Sequence, residues 1–512
     1  MIDRRRRKGI QSIVIVFLTI LVFSAIATRW INVSSNAGLI PREFESSETY
    51  KTFIAKPTCL MSCFEKLAAA QNNATSATEE ACPEYFRWIH EDLSPWKETG
   101  ISREMVERGK DVAHIRVVIV SGRLYVEKYK RAFQTRDVVT IWGILQLLKL
   151  YPGKLPDLDL MFECDDKPVV KKQDYAGNEA LVPPPVFHYC GDDETFDIVF
   201  PDWSFWGWTE IKIKPWEILK SEIKESNEKL KWMDREPYAF WKGNTKLSKV
   251  RHDLVGCNSS TNGEWNIRIF DLDWQRERKG GFKTTDLTTQ CTHRYKIYSE
   301  GHAWSVSQKY ILACDSMTLI ISPHYYDFYS RGLLPAIHYW PISENDLCNS
   351  INFAVKFGNK HTDQVREIGK AGSKFVQEQL KMKYVYDYMF HVLYQYAKLL
   401  KYQPTVPKGA VEVCSDTFIC NTKGLRKKFR LSSKVDSPSD SGPCNLQHPY
   451  DHRTLEAFVR RKSNLTKKIE QWEESDISTR KKFNQHFSSA SSSNAATFNN
   501  AELMHQKSAF VL

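Results

Sequence analysis

Leu158-Asp-Leu-Met-Phe-Glu-Cys-Asp-Asp-Lys-Pro168 is a short apolar run that ends in two carboxylates and a proline. The run Leu158–Phe162 predicts a buried strand, too short for a helix and bounded by polar residues. Asp166 then lies just past the carboxyl end of that strand, where open α/β sheets bind their ligands. The same event recurs along the chain. Phe196–Phe200 runs into Pro201-Asp202-Trp203-Ser204-Phe205-Trp206-Gly207-Trp208, and Ala239-Phe240-Trp241 runs into Lys242-Gly243-Asn244. Met317–Ile321 runs into a loop from His324 to Arg331, and Ile267–Asp271 and Tyr295–Tyr298 read as two more strands. Helical patterns separate them. Ile141, Ile144, Leu145 and Leu148 mark one face over Val138–Leu150. Pro215 opens a helix over Trp216–Trp232. Val306–Leu312 is a short one, and Val385, Met389, Val392, Tyr396 and Leu399 mark a long one. The alternation predicts an α/β fold with parallel sheets. Pro237 divides it into two units that face each other. Only His114–Val126 breaks the rhythm, reading as a hairpin around Ser121-Gly122.

The first thirty residues set the compartment. Arg4 to Lys8 precede an apolar stretch from Ser12 to Ala27, closed by Arg29. A basic flank stays cytoplasmic, so this reads as a short signal anchor, with a cleaved signal peptide as the rival. Twelve cysteines then imply disulfides. Asn73, Asn258 and Asn464 each begin an Asn-x-Ser/Thr acceptor. The net charge of +11 resides in the first eight residues and beyond residue 400, leaving a neutral body. A nucleic-acid groove is therefore not expected. We divide the chain into a cytoplasmic tail (1–10), a transmembrane anchor (11–28), a lumenal stem (29–80), two α/β units (81–235 and 236–402), a cysteine-containing extension (403–475) and a disordered tail (476–512).

Four clusters carry possible chemistry. Asp166 can take a proton from an attacking hydroxyl, or it and Asp165 are loop caps. Asp165/Asp166 and Asp271/Asp273 are also the places for a carboxylate-held magnesium. Lys242-Gly243-Asn244 with Arg251 beyond suits a phosphate approaching the backbone closely, or is a plain turn. Ser305, Ser307 and Lys309 entering a helix suit a diphosphate, or form a cap beside a snorkelling lysine. His324 and His338 sit in aromatic loops and read more simply as packed side chains. There is no Gly-x-Ser-x-Gly elbow, no P-loop and no His-Glu-x-x-His.

Taken in order, these segments resemble the Rumi-type protein O-glucosyltransferases, a family that includes capsule-type xylosyltransferases. The boxes are Cys164-Asp165-Asp166-Lys167-Pro168, Pro201 to Trp206, Phe240 to Asn244 with Arg251, His293-Arg294-Tyr295-Lys296 through Ser305 to Lys309, Cys314-Asp315-Ser316 and His338-Tyr339-Trp340-Pro341. Ser94-Pro95-Trp96 and Lys309 to Ser316 are worded as in the plant branch. The resemblance implies a GT-B fold of two Rossmann-like domains across a cleft. It implies inverting, metal-independent transfer of glucose or xylose from a UDP-sugar, with no bound cofactor, to a hydroxyl of a secreted protein or a cell-wall glycan. Asp166 matches the general base. Lys242, Gly243, Asn244, Arg251, Ser305, Ser307 and Lys309 match the donor side, and Trp203, Phe205 and Trp206 match the acceptor side. Lys242 and Lys309 stand where animal members have Arg, and Asp165 stands where the family has Gly or Arg. Those departures leave a non-catalytic sugar-nucleotide binder as the alternative. Without a retrieval signal in Phe510-Val511-Leu512, a single-pass type II Golgi protein is expected, with the endoplasmic reticulum second. Spacing does not fix disulfide connectivity. We expect Cys257–Cys291 across the nucleotide unit and Cys164–Cys190 beside the catalytic loop.

Overall fold

The computed structural model describes residues 80–177, 182–258, 266–420 and 422–490. The expected cytoplasmic tail, anchor, nearly all of the stem, and Asn73 lie outside these residues. No described helix is long and apolar enough to cross a membrane.

Two sheets form the frame. The first has six strands: β1 (Ile115–Val120), β2 (Arg123–Lys128), β3 (Leu158–Phe162), β4 (Val186–His188), β5 (Ile198–Val199) and β11 (Val411–Val413). They are ordered β11-β2-β1-β3-β4-β5. The second has β6 (Glu236–Gly243), β7 (Ile267–Asp271), β8 (His293–Tyr298), β9 (Met317–Ile321) and β10 (Trp340–Ile342), ordered β10-β9-β8-β6-β7. Every pairing in the second sheet is parallel.

The first sheet is mixed, not parallel. Only the β3–β4 and β4–β5 pairings are parallel. Ser121 and Gly122 adopt φ of 50° and 73°, and a two-residue turn joins antiparallel strands. β1 therefore pairs antiparallel with both β2 and β3, and β2 takes β11 on its open edge. That late strand comes from the segment expected to be a separate extension.

The two sheets are tied together by the chain that follows them. Helix Met382–Leu399, expected in the second unit, returns to the first sheet and packs on helix Arg136–Leu150 and on β3. Its Tyr396 hydroxyl donates to the Asp159 carbonyl at 2.9 Å. The last helix, His452–Ala490, spans both halves. Phe458 sits 6.1 Å from Trp88 in the first, and Trp472 stacks 5.7 Å from Phe357 in the second. The tail expected to be disordered from 476 is helical as far as Ala490. Residues 476–490 contain neither Gly nor Pro, so nothing in their backbone stops the helix. Asn464 is exposed on it, whereas the Asn258 amide is spent on the Ile269 carbonyl at 3.1 Å.

The cysteine pairing differs from expectation. Cys82 pairs with Cys444, Cys257 with Cys348, and Cys291 with Cys314. Cys257 ends the turn after helix Lys249–Val255, which packs on helix Leu347–Lys360, and Cys348 lies in the first turn of the latter. Cys291 and Cys314 precede the adjacent strands β8 and β9. Cys164 and Cys190 are both free and buried. Phe162 is paired with Phe187, which places Cys164 two residues and Cys190 three residues past the matched pair. The chain bends at Tyr189, where the Cys190 amide donates back to His188 Nδ1 at 3.2 Å, and the Cys190 thiol donates to the Asp166 carbonyl instead. A peptide map of unreduced protein is expected to recover Cys82–Cys444, Cys257–Cys348 and Cys291–Cys314, with Cys164 and Cys190 alkylated only after unfolding.

Candidate active site

The carboxyl ends of β3, β5, β6 and β8 converge on one cavity of about 260 Å³ between the two halves. Asp166, Trp203 and Trp208 line it from the first half. Lys242, Gly243, Asn244, Arg251, Ser305 and Ser307 line it from the second. Residues far apart in sequence meet here because parallel strands present all their carboxyl ends to one side.

Asp166 is held by a residue that the motifs did not single out. Arg136 Nη1 lies 3.0 Å from the Asp166 carboxylate and donates to the Cys164 carbonyl at 3.2 Å. Its guanidinium lies 4.2 Å over the Trp203 ring. Arg136 is buried in the first turn of its helix, and an arginine there reads in sequence as a surface residue. The loop is pinned at four further points. Glu163 accepts from the Asp165 amide at 3.0 Å with both oxygens. Asp197 accepts from the Val169 and Val170 amides at 3.0 and 2.8 Å. The Cys190 thiol donates to the Asp166 carbonyl at 3.4 Å. The two adjacent carboxylates turn apart. Asp166 faces Arg136, while Asp165 lies 3.7 Å from His114 Nε2. Burial, reinforced by the charge of Glu163, raises the Asp165 carboxyl above its usual range.

Beneath the loop lies a buried His–Glu–His cluster. Glu163 is 3.1 Å from His114 Nδ1 and 2.8 Å from His188 Nε2. Burial alone would raise the Glu163 carboxyl. The two imidazoles beside it outweigh this and hold the carboxyl down to about 2. His114, Glu163 and Asp165 bring ligand-type atoms within 4.8 Å of one another. The Asp271/Asp273 pair is differently employed. Asp271 accepts from the Thr245 hydroxyl at 2.7 Å, and Asp273 caps helix Trp274–Lys279 through the Gln275 and Arg276 amides.

On the second half, Lys242 Nζ donates to the Thr284 carbonyl at 2.6 Å and to its hydroxyl at 3.0 Å. A Cβ on Gly243 would lie 2.6 Å from the Trp241 ring, so only glycine fits. Arg251 is buried. Its Nε and Nη2 donate to the Glu300 and Ser299 carbonyls at 2.7 and 3.0 Å, and burial pushes its guanidinium down to about 10. The Ser305 and Ser307 hydroxyls are 2.9 Å apart. Lys296 is a further cavity cation. Its ammonium donates to the Gln290 carbonyl at 2.7 Å, and burial pushes it down to about 7.

Three expected contacts do not reach the cavity. Lys309 is 1 % exposed and bonds Asp202 Oδ2 at 3.0 Å and Ser204 Oγ at 2.8 Å. An ammonium at that depth needs a carboxylate, and the Asp202 loop of the other half supplies it. Phe205 and Trp206 are also core residues. Phe205 packs on Trp216 and Phe328, while Trp206 abuts Gly143 and donates to the Tyr386 hydroxyl at 2.9 Å. A run of aromatics after a strand does not reveal which rings face inward. Of the expected three, Trp203 alone lines the cavity, joined by Trp208.

A model of glycosyl transferase family 90 matches residues 77–473. The chain belongs to that family. It is 28 % identical over 337 residues to an O-glucosyltransferase rumi homolog of Aedes aegypti, covering 63 % of this chain and 80 % of that one. It is 27 % identical over 387 residues to protein O-glucosyltransferase 1 of Homo sapiens, covering 72 % and 91 %. Against O-glucosyltransferase rumi of Drosophila melanogaster the figures are 25 % over 355 residues, 66 % and 83 %. The Rumi-type resemblance of the motifs is thus a family membership, and the protein is a glycosyltransferase.

Two predictions follow from these partners. Lys309→Met strands Asp202 in the core and is expected to lower unfolding free energy by about 3–5 kcal/mol, measured by denaturant titration. The Glu163 carboxyl sits below its ordinary 4.5. Its contribution is therefore fully present above that pH and is lost as pH falls towards 2. The stability–pH curve of Glu163→Gln is expected to lack this acid slope.

Proposed function

We propose that this glycosyltransferase moves glucose or xylose from a UDP-sugar to a hydroxyl of a secreted protein, or of a cell-wall glycan, in one inverting step. One observation carries the reading. A carboxylate from the first half and a set of cations, hydroxyls and a close-approach glycine from the second line the same cavity. Asp166 takes the proton of the acceptor hydroxyl as its oxygen bonds to the anomeric carbon. The bond from that carbon to the diphosphate breaks on the opposite face, and UDP leaves with the electron pair. Arg136 keeps the carboxylate aimed into the cavity. Arg251, Lys242, the amides at Gly243 and Asn244, and the Ser305 and Ser307 hydroxyls meet the charge that develops on the diphosphate. Protein groups then do what a metal does elsewhere, and we infer a metal-independent reaction on a GT-B arrangement. The names of the relatives favour a protein acceptor and glucose. The basic flank and apolar run before residue 29 support a type II anchor in the Golgi membrane.

The test is UDP release by the purified full chain with UDP-glucose and UDP-xylose, each with secreted-protein and cell-wall glycan acceptors and with EDTA present. Turnover is expected with one of them. Asp166→Asn is expected to lower it by about 10³-fold while leaving UDP affinity intact. Full turnover by that variant overturns the role of Asp166, and loss of wild-type turnover in EDTA overturns metal independence.

A further inference from the structure

Among the described residues three lysines are buried: Lys220, Lys296 and Lys309. Two of them have a carboxylate. Lys220 pairs with Glu217 at 2.9 Å, and Lys309 pairs with Asp202 at 3.0 Å. Lys296 makes no such pair among the described residues, and its ammonium donates only to the Gln290 carbonyl, at 2.7 Å. An ammonium at that depth is costly without a partner, and burial weakens its hold on the proton. A hydrogen-bond acceptor brought against it favours the charged form.

Lys296 also stands on the wall of the cavity that holds Asp166. Gln290 lines the same wall and is half-buried, and its carboxamide bonds no protein group among the described residues. The ring of Phe240, 4.9 Å from the ammonium, and the side chain of Leu287 add apolar faces.

The strand register decides which part of a sugar nucleotide meets these groups. Lys296 is paired with Phe240, three residues before Gly243, which is about 10 Å back from the end of β6. On the donor reading above, the sugar reacts at Asp166 in the first half, and the diphosphate meets Gly243, Ser305 and Ser307 at the strand ends. The nucleoside is the end that remains, and it belongs to the second half. A protonated lysine can only donate, whereas a carboxamide donates and accepts. Uracil carries an accepting carbonyl at position 4, where cytosine carries a donating amine.

We propose that Lys296 selects uracil as the base of the donor nucleotide, its ammonium donating to O4 while the Gln290 carboxamide accepts from N3–H. A cytosine in the same place would turn its amine against the ammonium. This inference rests on the UDP-sugar reading of the cavity and adds the group that reads the base.

The full chain would be titrated with UDP and with CDP by calorimetry, without a sugar. The wild type is expected to bind UDP at least about ten-fold more tightly than CDP. Lys296→Met keeps the length of the side chain and removes a buried charge without stranding another, so the variant retains its fold. It is expected to reduce the preference for UDP by about ten-fold, through UDP. Gln290→Met is expected to weaken UDP by about five-fold. A wild type that binds both nucleotides equally overturns the proposal and leaves the donor reading standing. So does a Lys296→Met variant that keeps the preference, or one that loses UDP and CDP in equal measure as a phosphate contact would. Unchanged UDP affinity in Gln290→Met overturns the part given to Gln290. A wild type that binds no UDP overturns the donor reading as well.

Discussion

The ammonium of Lys309, buried against Asp202 and Ser204, is where the two halves of this protein become one object. Lys309 belongs to the helix that follows Ser305 and Ser307, and Asp202 to the loop that carries Trp203. Neither charge tolerates the interior alone, so each half is completed by the other. The ammonium also lies 4.4 Å over the Phe205 ring and 4.8 Å over the Tyr310 ring. The walls of the cavity between them are thereby set at a fixed spacing. A cation that motif spacing assigns to the diphosphate instead holds the architecture around it.

The Asp166 loop follows the same logic on a smaller scale. The Asp166 side chain is 38 % exposed, yet several neighbouring backbone groups are tied. Glu163 holds the Asp165 amide, Asp197 holds those of Val169 and Val170, and Cys190 holds the Asp166 carbonyl. The Glu163 charge is itself stabilised by two histidines. A base gains rate from being held in one geometry, and for the base proposed above buried side chains do the holding. The adjacent Asp165, a departure from the family's motif, is turned away towards His114.

Disulfides and the final helix extend this tethering to the periphery. Cys82–Cys444 joins the first described residues to the segment before the last helix. The helix then runs from Trp88 in the first half to the ring pair of Phe357 and Trp472 in the second.

The sequence by itself determined the strands, the helices and the loops that carry chemistry, because period and turn residues are local properties. Leu158–Phe162, Met317–Ile321 and the Ser121-Gly122 hairpin are read correctly from a few neighbours. The family was legible for the same reason, since its boxes are short contiguous strings. Only the tertiary structure decided what each box touches. Lys309 and Ser305 lie four residues apart, yet one enters a buried ion pair and the other lines the cavity. Phe205 and Trp206 turn into the core while Trp203, equally buried, lines the cavity. Cysteine partners, the role of Arg136 and the antiparallel edge of the first sheet depended likewise on residues tens to hundreds of positions away. Those contacts arise from packing in three dimensions, which no local pattern encodes.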